Sequence, residues 1–152
     1  MSNSESSTAE RLRRLMDETV LEVFATMLGC ECVPGGALQA APDHKVARIT
    51  FSGALAGKCV VVFADMDAAK LAEMFLGEAA DETMADDAIS ELCNVLAGGL
   101  KRRLRPPASG AALSVPSVAR GMPDSAPDVC RGYEFDGTQF AVRLTVDIIA
   151  ED

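Results

Sequence analysis

The sequence predicts one α/β domain of the α+β type, and three stretches carry that expectation. Residues 82–105 repeat apolar and polar side chains with the period of a long amphipathic helix. Residues 58–63 contain five apolar side chains in a row, Cys59 to Phe63, as in a strand covered on both faces. Residues 138–148 alternate strictly, with Phe140, Val142, Leu144, Val146 and Ile148 on one side. Such a strand has one buried and one solvated face.

The other elements follow in order. Residues 1–7 are rich in Ser, Asn and Glu and read as a disordered tail, leaving 8–152 as a single domain. Residues 8–29 carry a helical stripe of Leu12, Leu15, Met16, Val20, Val23, Phe24 and Met27, stopped at Gly29. A Pro/Gly loop leads to a strand over 45–51, a turn over 53–57 and the apolar strand. A helix over 67–76 ends at Gly77, and an acidic loop opens the long helix, which Pro106 and Pro107 stop. A strand over 112–118 and a Pro/Asp/Ser loop over 121–127 come next. Residues 129–135 and 138–148 form a hairpin, because Asp136-Gly137 suits a type I′ turn. Phe51-Ser52-Gly53 and Phe135-Asp136-Gly137 stand at matching places in a faint helix, strand, turn, strand repeat.

Composition excludes several classes. With 152 residues the chain has room for one real core. The net charge of −9 argues against nucleic acid, whose phosphates need a basic surface. No run approaches the roughly 18 apolar residues of a membrane span. The N-terminus lacks the basic and apolar regions of a secretory signal, so a cytoplasmic location is expected. Five cysteines, Cys30, Cys32, Cys59, Cys93 and Cys130, form no zinc spacing, and His44 is the one histidine. They read as buried, reduced thiols, and no metal site is expected.

The long helix sorts its residues sharply. At 100° per residue, Asp86, Ser90, Lys101, Asn94, Asp87, Gly98 and Glu91 share an arc of roughly 140°. Ala85, Ala88, Ile89, Leu92, Leu96, Gly99 and Leu100 fill the opposite side. Asp87, Glu91 and Asn94 stand in one line along the polar face, reading Asp-x-x-x-Glu-x-x-Asn. Such residues are often merely solvated. Two carboxylates alone would also suit a glycosidase, but the chain has no Trp and one Tyr for stacking sugars. A di-iron helix would need His where Asn94 stands.

The flanks add meaning to the line. Leu76-Gly77 precedes it, Ile89-Ser90-Glu91-Leu92-Cys93-Asn94-Val95-Leu96-Ala97-Gly98 contains it, and Leu113-Ser114-Val115-Pro116 follows. Together with Phe51-Ser52-Gly53 to Phe63, these segments resemble the CheC/CheX/FliY family of chemotaxis phosphatases over most of the chain. That family's pattern is Asp or Ser, three residues, Glu, two residues, Asn, then about 22 residues and Pro. Here 21 residues separate Asn94 from Pro116. The resemblance implies helices on a mostly antiparallel sheet with pseudo-duplicated halves. It also implies a single site of the CheX kind, because the first helix offers Glu18 and Glu22 but has Ala25 in place of the amide.

The implied function is hydrolysis of the aspartyl phosphate of a CheY-like receiver domain. An acyl phosphate is already activated, so a held water and charge stabilisation suffice. Asn94 can both donate to and accept from that water. Glu91 would pair with a lysine of the receiver, and Asp87 would orient or dock. Gly98 leaves the helix face low for a close approach. Lys101, in a basic run that also suits a helix C-terminus, would face the receiver's acidic rim. The receiver brings Mg2+, so the chain needs no cofactor of its own. The alternative is a non-catalytic interaction or dimerisation module docking on a receiver or a flagellar or signalling assembly. A homodimer is expected, with residues 138–148 as a possible sheet edge.

Overall fold

The computed structural model describes residues 3–35, 43–53, 55–104, 111–121 and 127–148. Helix α1 (Asn3–Val23) runs into a π-helical turn, Phe24–Leu28, and stops at Gly29 with φ 64°. It starts inside the segment whose composition reads as a tail. No Gly or Pro interrupts that stretch, so its composition does not oppose a helix. The chain continues through β1 (Val33–Pro34), β2 (Lys45–Ser52), β3 (Leu55–Phe63), α2 (Asp65–Leu76) and α3 (Glu82–Arg103). It closes with β4 (Ala112–Leu113), β5 (Ser117–Arg120), β6 (Val129–Phe135) and β7 (Thr138–Ile148).

The seven strands of the described residues join one antiparallel sheet in the order β1-β6-β7-β3-β2, with β4 and β5 sharing the outer edge of β2. Its plan is a repeated one. The hairpin β2–β3 follows α1, the hairpin β6–β7 follows α3, and β3 pairs with β7 at the centre. The short strand after α1 borders the second hairpin, and the short strands after α3 border the first. The pseudo-duplicated arrangement is therefore present in the topology.

The three helices and the inward side of the sheet share one core. Helix α3 occupies the middle, against α1, α2, β2 and β3. Ile89, Leu92, Cys93 and Leu96 are fully buried beneath it. At the other end Phe24, Phe63, Tyr133, Phe135 and Phe140 pack as an aromatic cluster, with Phe24 and Phe135 centroids 4.7 Å apart. The apolar run of β3 is buried on both faces, as its composition requires. Cys59, Val61 and Phe63 enter the core, while Val60 and Val62 join Ala141 in a small cluster on the other face. That cluster corrects the expectation of a solvated second face for β7, because Ala141 is buried there.

Several boundaries also differ. The turn expected over 53–57 is shorter, because β3 begins at Leu55 and pairs with β7 from its first residue. The single strand expected over 112–118 is two strands. Phe51 faces Leu113 and Arg48 faces Ser117, so Ile49 and Thr50 oppose Ser114, Val115 and Pro116. Two residues against three make a bulge. Pro116 has no N–H for the ladder, which suits it to that position. Finally, β7 is interior, bonded to β3 on one side and to β6 on the other over most of its length. Among the described residues only those beyond Leu144 lack a strand on the β6 side, so β7 is not the open sheet edge expected for a dimer. Residues 105–110 and 122–126, including Pro106, Pro107 and most of the 121–127 loop, lie outside the described residues.

Candidate functional site

Helix α3 is anchored through its first turns before its polar line is reached. Asp81 caps it, its carboxylate accepting from the Met84 amide at 2.8 Å. Lys45, at the start of β2, lies on the inward face with Ala47, Ile49 and Phe51 and is only 5% exposed at its side chain. Its ammonium meets Asp86 at 2.6 Å and Glu82 at 3.1 Å. Burial pulls the Lys45 pKa down, but the bonds to Asp86 and Glu82 together outweigh it and raise the pKa. Arg120 of β5 extends the cluster, bonding Glu82 at 2.7 Å and Asp65 at 2.8 Å. Arg120 and then Lys45 hold the Glu82 carboxyl below its usual range. Asp86 thus belongs to a structural ion cluster, not to the open polar line.

With Asp86 held on Lys45 and Leu92 and Leu96 in the core, the rotation of α3 is set. Asp87, Glu91 and Asn94 are all exposed. They share a groove of about 580 Å3 with Ser90, Leu113, Ser114, Val115 and Pro116. One wall is the α3 line and the other is the bulge between β4 and β5. The bulge is tied to β2 by Ser114. Its amide donates to the Thr50 carbonyl at 3.0 Å, and its hydroxyl accepts from the Thr50 amide at 2.9 Å. A carboxylate and an amide that face solvent across from a fixed loop can grip a partner's cation and a water.

Gly98 and Lys101 continue the same face toward the helix C-terminus, outside the lining of the groove. A Cβ on Gly98 would meet only the tip of Arg102, at 3.7 Å. Packing within this chain therefore does not require glycine there. The next residue behaves differently: a Cβ on Gly99 would lie 2.8 Å from the Thr19 methyl of α1. Gly99 is the close-approach glycine, which sequence reading passed over. Gly98→Ala should keep or raise stability by up to about 1 kcal/mol through helix propensity. Gly99→Ala should lower it by about 1–2 kcal/mol through overpacking. Paired urea titrations check the contrast.

The first helix and the turn after it carry no matching line. Glu22 of α1 is paired with Arg103 of α3, and Ala25 is exposed where the motif would need an amide. Cys93, beside Asn94 in sequence, points into the core and donates to the carbonyls of Cys59 and Ala47. Contact with the Cys59 thiol, then burial, hold its pKa well above the ordinary thiol range, which removes it as a nucleophile. Burial pushes Cys32 up to about 12. Cys32, Cys59 and Cys93 are buried as expected, whereas Cys130 on β6 is exposed. Among the described residues, no three His, Cys, Asp or Glu side chains converge as a metal site.

Sequence reading missed Lys45 and Arg120. A signal for Lys45 was present: it holds the inward phase of the period-two pattern of β2. Arg120 gave no such sign, because its pairing depends on how β5 meets α2 and α3. Among the described residues, no helix is long and apolar enough to cross a membrane.

Known proteins share this architecture. The crystal structure of the chemotaxis protein CheX from Vibrio vulnificus has 17% identity and a TM-score of 0.72, covering 90% of this chain and 96% of that one. The CheX–CheY–BeF3–Mg2+ complex from Borrelia burgdorferi matches at 16% identity and a TM-score of 0.64, over 88% and 96%. FliY from Thermotoga maritima matches at 13% identity and 0.65, over 95% and 91%. No curated protein sequence matches the chain significantly. A family model described as chemotaxis phosphatase CheX matches residues 46–133, more than half of the chain and the whole of the Asp87 to Pro116 site. By that match, the chain belongs to the CheX family.

Proposed function

We propose that this chain hydrolyses the aspartyl phosphate of a CheY-like receiver domain in chemotaxis or related two-component signalling. The observation that carries the reading is the groove. Glu91 and Asn94 stand exposed on one wall, opposite the Ser114 to Pro116 bulge. The solved complex of a CheX with CheY, in the same fold, supports the choice of partner. Glu91 pairs with a lysine of the receiver and sets the docked position. The Asn94 amide holds a water in line with the phosphorus. The water oxygen bonds to phosphorus, the bond to the receiver's carboxylate oxygen breaks, and inorganic phosphate leaves. Mg2+ held by the receiver offsets charge on the phosphoryl oxygens. Asp87 orients the approach, and Gly98 and Lys101 extend the contact along α3.

The direct test incubates the protein with phosphorylated receivers of its own organism and follows phosphate release. Accelerated release is expected. A receiver that binds without faster release would leave the docking module as the function.

The activity belongs in the cytoplasm, where receiver domains are phosphorylated. We also propose a homodimer. Because β7 is interior, pairing of sheet edges would use β5 or the exposed stretch of β6. Light scattering should give a mass well above the 16.0 kDa of one chain. A monomeric mass at working concentration would remove the dimer.

A further inference from the structure

A second hollow lies on the other side of the Asp87–Glu91 line. It is formed where the end of α2 meets the first turns of α3. Ala72, Phe75, Leu76, Met84 and Ala88 line it, and Asp87 and Glu91 stand at its rim. Ala72 and Ala88 are buried and form a floor. Leu76 and Met84 are 51% and 38% exposed, which leaves large apolar surface in water beside two carboxylates. Gly77, with φ 78°, ends α2 directly after Leu76.

Its volume is about 230 Å3. That falls below the roughly 300–1,000 Å3 typical of small-molecule sites, but admits a protein side chain. The hollow shares Asp87 and Glu91 with the groove that holds Asn94. A partner whose cation meets Glu91 therefore stands at the border of both depressions. The acidic rim suits a partner that is basic at that point.

We propose that this hollow is a docking subsite for one apolar side chain that the receiver presents next to the cation bound by Glu91. The inference rests on the phosphatase reading and adds a specificity determinant to it. The apolar contact contributes affinity and the carboxylates set orientation, as in an interface with a buried anchor and a polar rim. Met84, flexible and polarisable, can adjust to the shape of the incoming side chain.

The test uses steady-state phosphate release from a phosphorylated receiver, with receiver binding measured in parallel. Leu76→Asp and Met84→Asp place a charge on exposed positions, where folding tolerates it. Each should raise KM and the receiver Kd about tenfold while kcat stays within about twofold. Leu76→Met, which keeps an apolar side chain there, should bind as the parent does. Met66→Asp, on α2 outside the hollow, should behave as the parent does. Unchanged KM and Kd in both Asp variants would overturn the subsite even if Asn94→Ala shows the phosphatase reading to be right. If the parent binds the receiver without releasing phosphate, the phosphatase reading fails, and weakened Kd in the Asp variants still supports the subsite. A shift to smaller mass in Leu76→Asp with unchanged receiver binding would assign the hollow to a second copy and overturn the proposal.

Discussion

Asn94→Ala should fold and dock like the parent and lose about 10²-fold in turnover, equivalent to about 2.7 kcal/mol of barrier. The size follows from the role proposed for Asn94. One polar group that acts mainly as the water attacks removes stabilisation from the transition state, not from the bound state. Asn94 is exposed on α3, outside the core formed by Leu92 and Leu96, so its truncation leaves packing intact. Glu91→Ala should divide the effects the other way. It removes a docking charge, so receiver affinity falls and the salt dependence of binding changes. Rate, affinity and melting temperature should be measured on the same preparations. A well-folded Asn94→Ala protein with undiminished turnover would remove the catalytic role and leave a receiver-docking module.

Gly57→Ala should cost about 3 kcal/mol or more in folding stability. Gly57 sits inside β3, where it pairs with Phe51 on one side and Val146 on the other. Its φ is +153°, a region that other residues seldom adopt. A Cβ there would lie 2.1 Å from the Thr145 carbonyl oxygen. The atom in the way is backbone of the central strand pair, so relief requires moving β7 against β3. A glycine in a surface turn would tolerate the same change at a fraction of that cost. Chemical denaturation decides between them. A midpoint equal to the parent's would show that β3 does not approach β7 so closely at Gly57.

The helical stripes of α1 and α3 and the hairpin at Asp136-Gly137 were legible residue by residue. Asp136 and Gly137 carry φ of 48° and 75°, the left-handed geometry their types favour. The outward line of Asp87, Glu91 and Asn94 was legible too. The same rotation that buries Ile89, Leu92 and Leu96 must expose it. The ends of β3 and the division of residues 112–118 were not legible, because nothing local marks a close backbone approach or a bulge. Gly98 and Gly99 show the limit plainly. They are adjacent and identical, and only the path of α1 past Thr19 makes one of them necessary.

The sequence by itself determined where the long helices and strands lie, which helix face is polar, and which side chains on it suit water and cation binding. Those properties depend on neighbours one to four residues away, and periodicity reports them. Tertiary structure decided that Pro116 stands across a groove from Asn94, that Lys45 takes Asp86 out of the polar line, and that β7 is interior. It also decided that an apolar hollow opens beside Glu91. Each of these joins segments that lie tens of residues apart in the chain or on different elements. Their meeting is set by strand order, register and helix packing, which leave no periodic mark on any one segment.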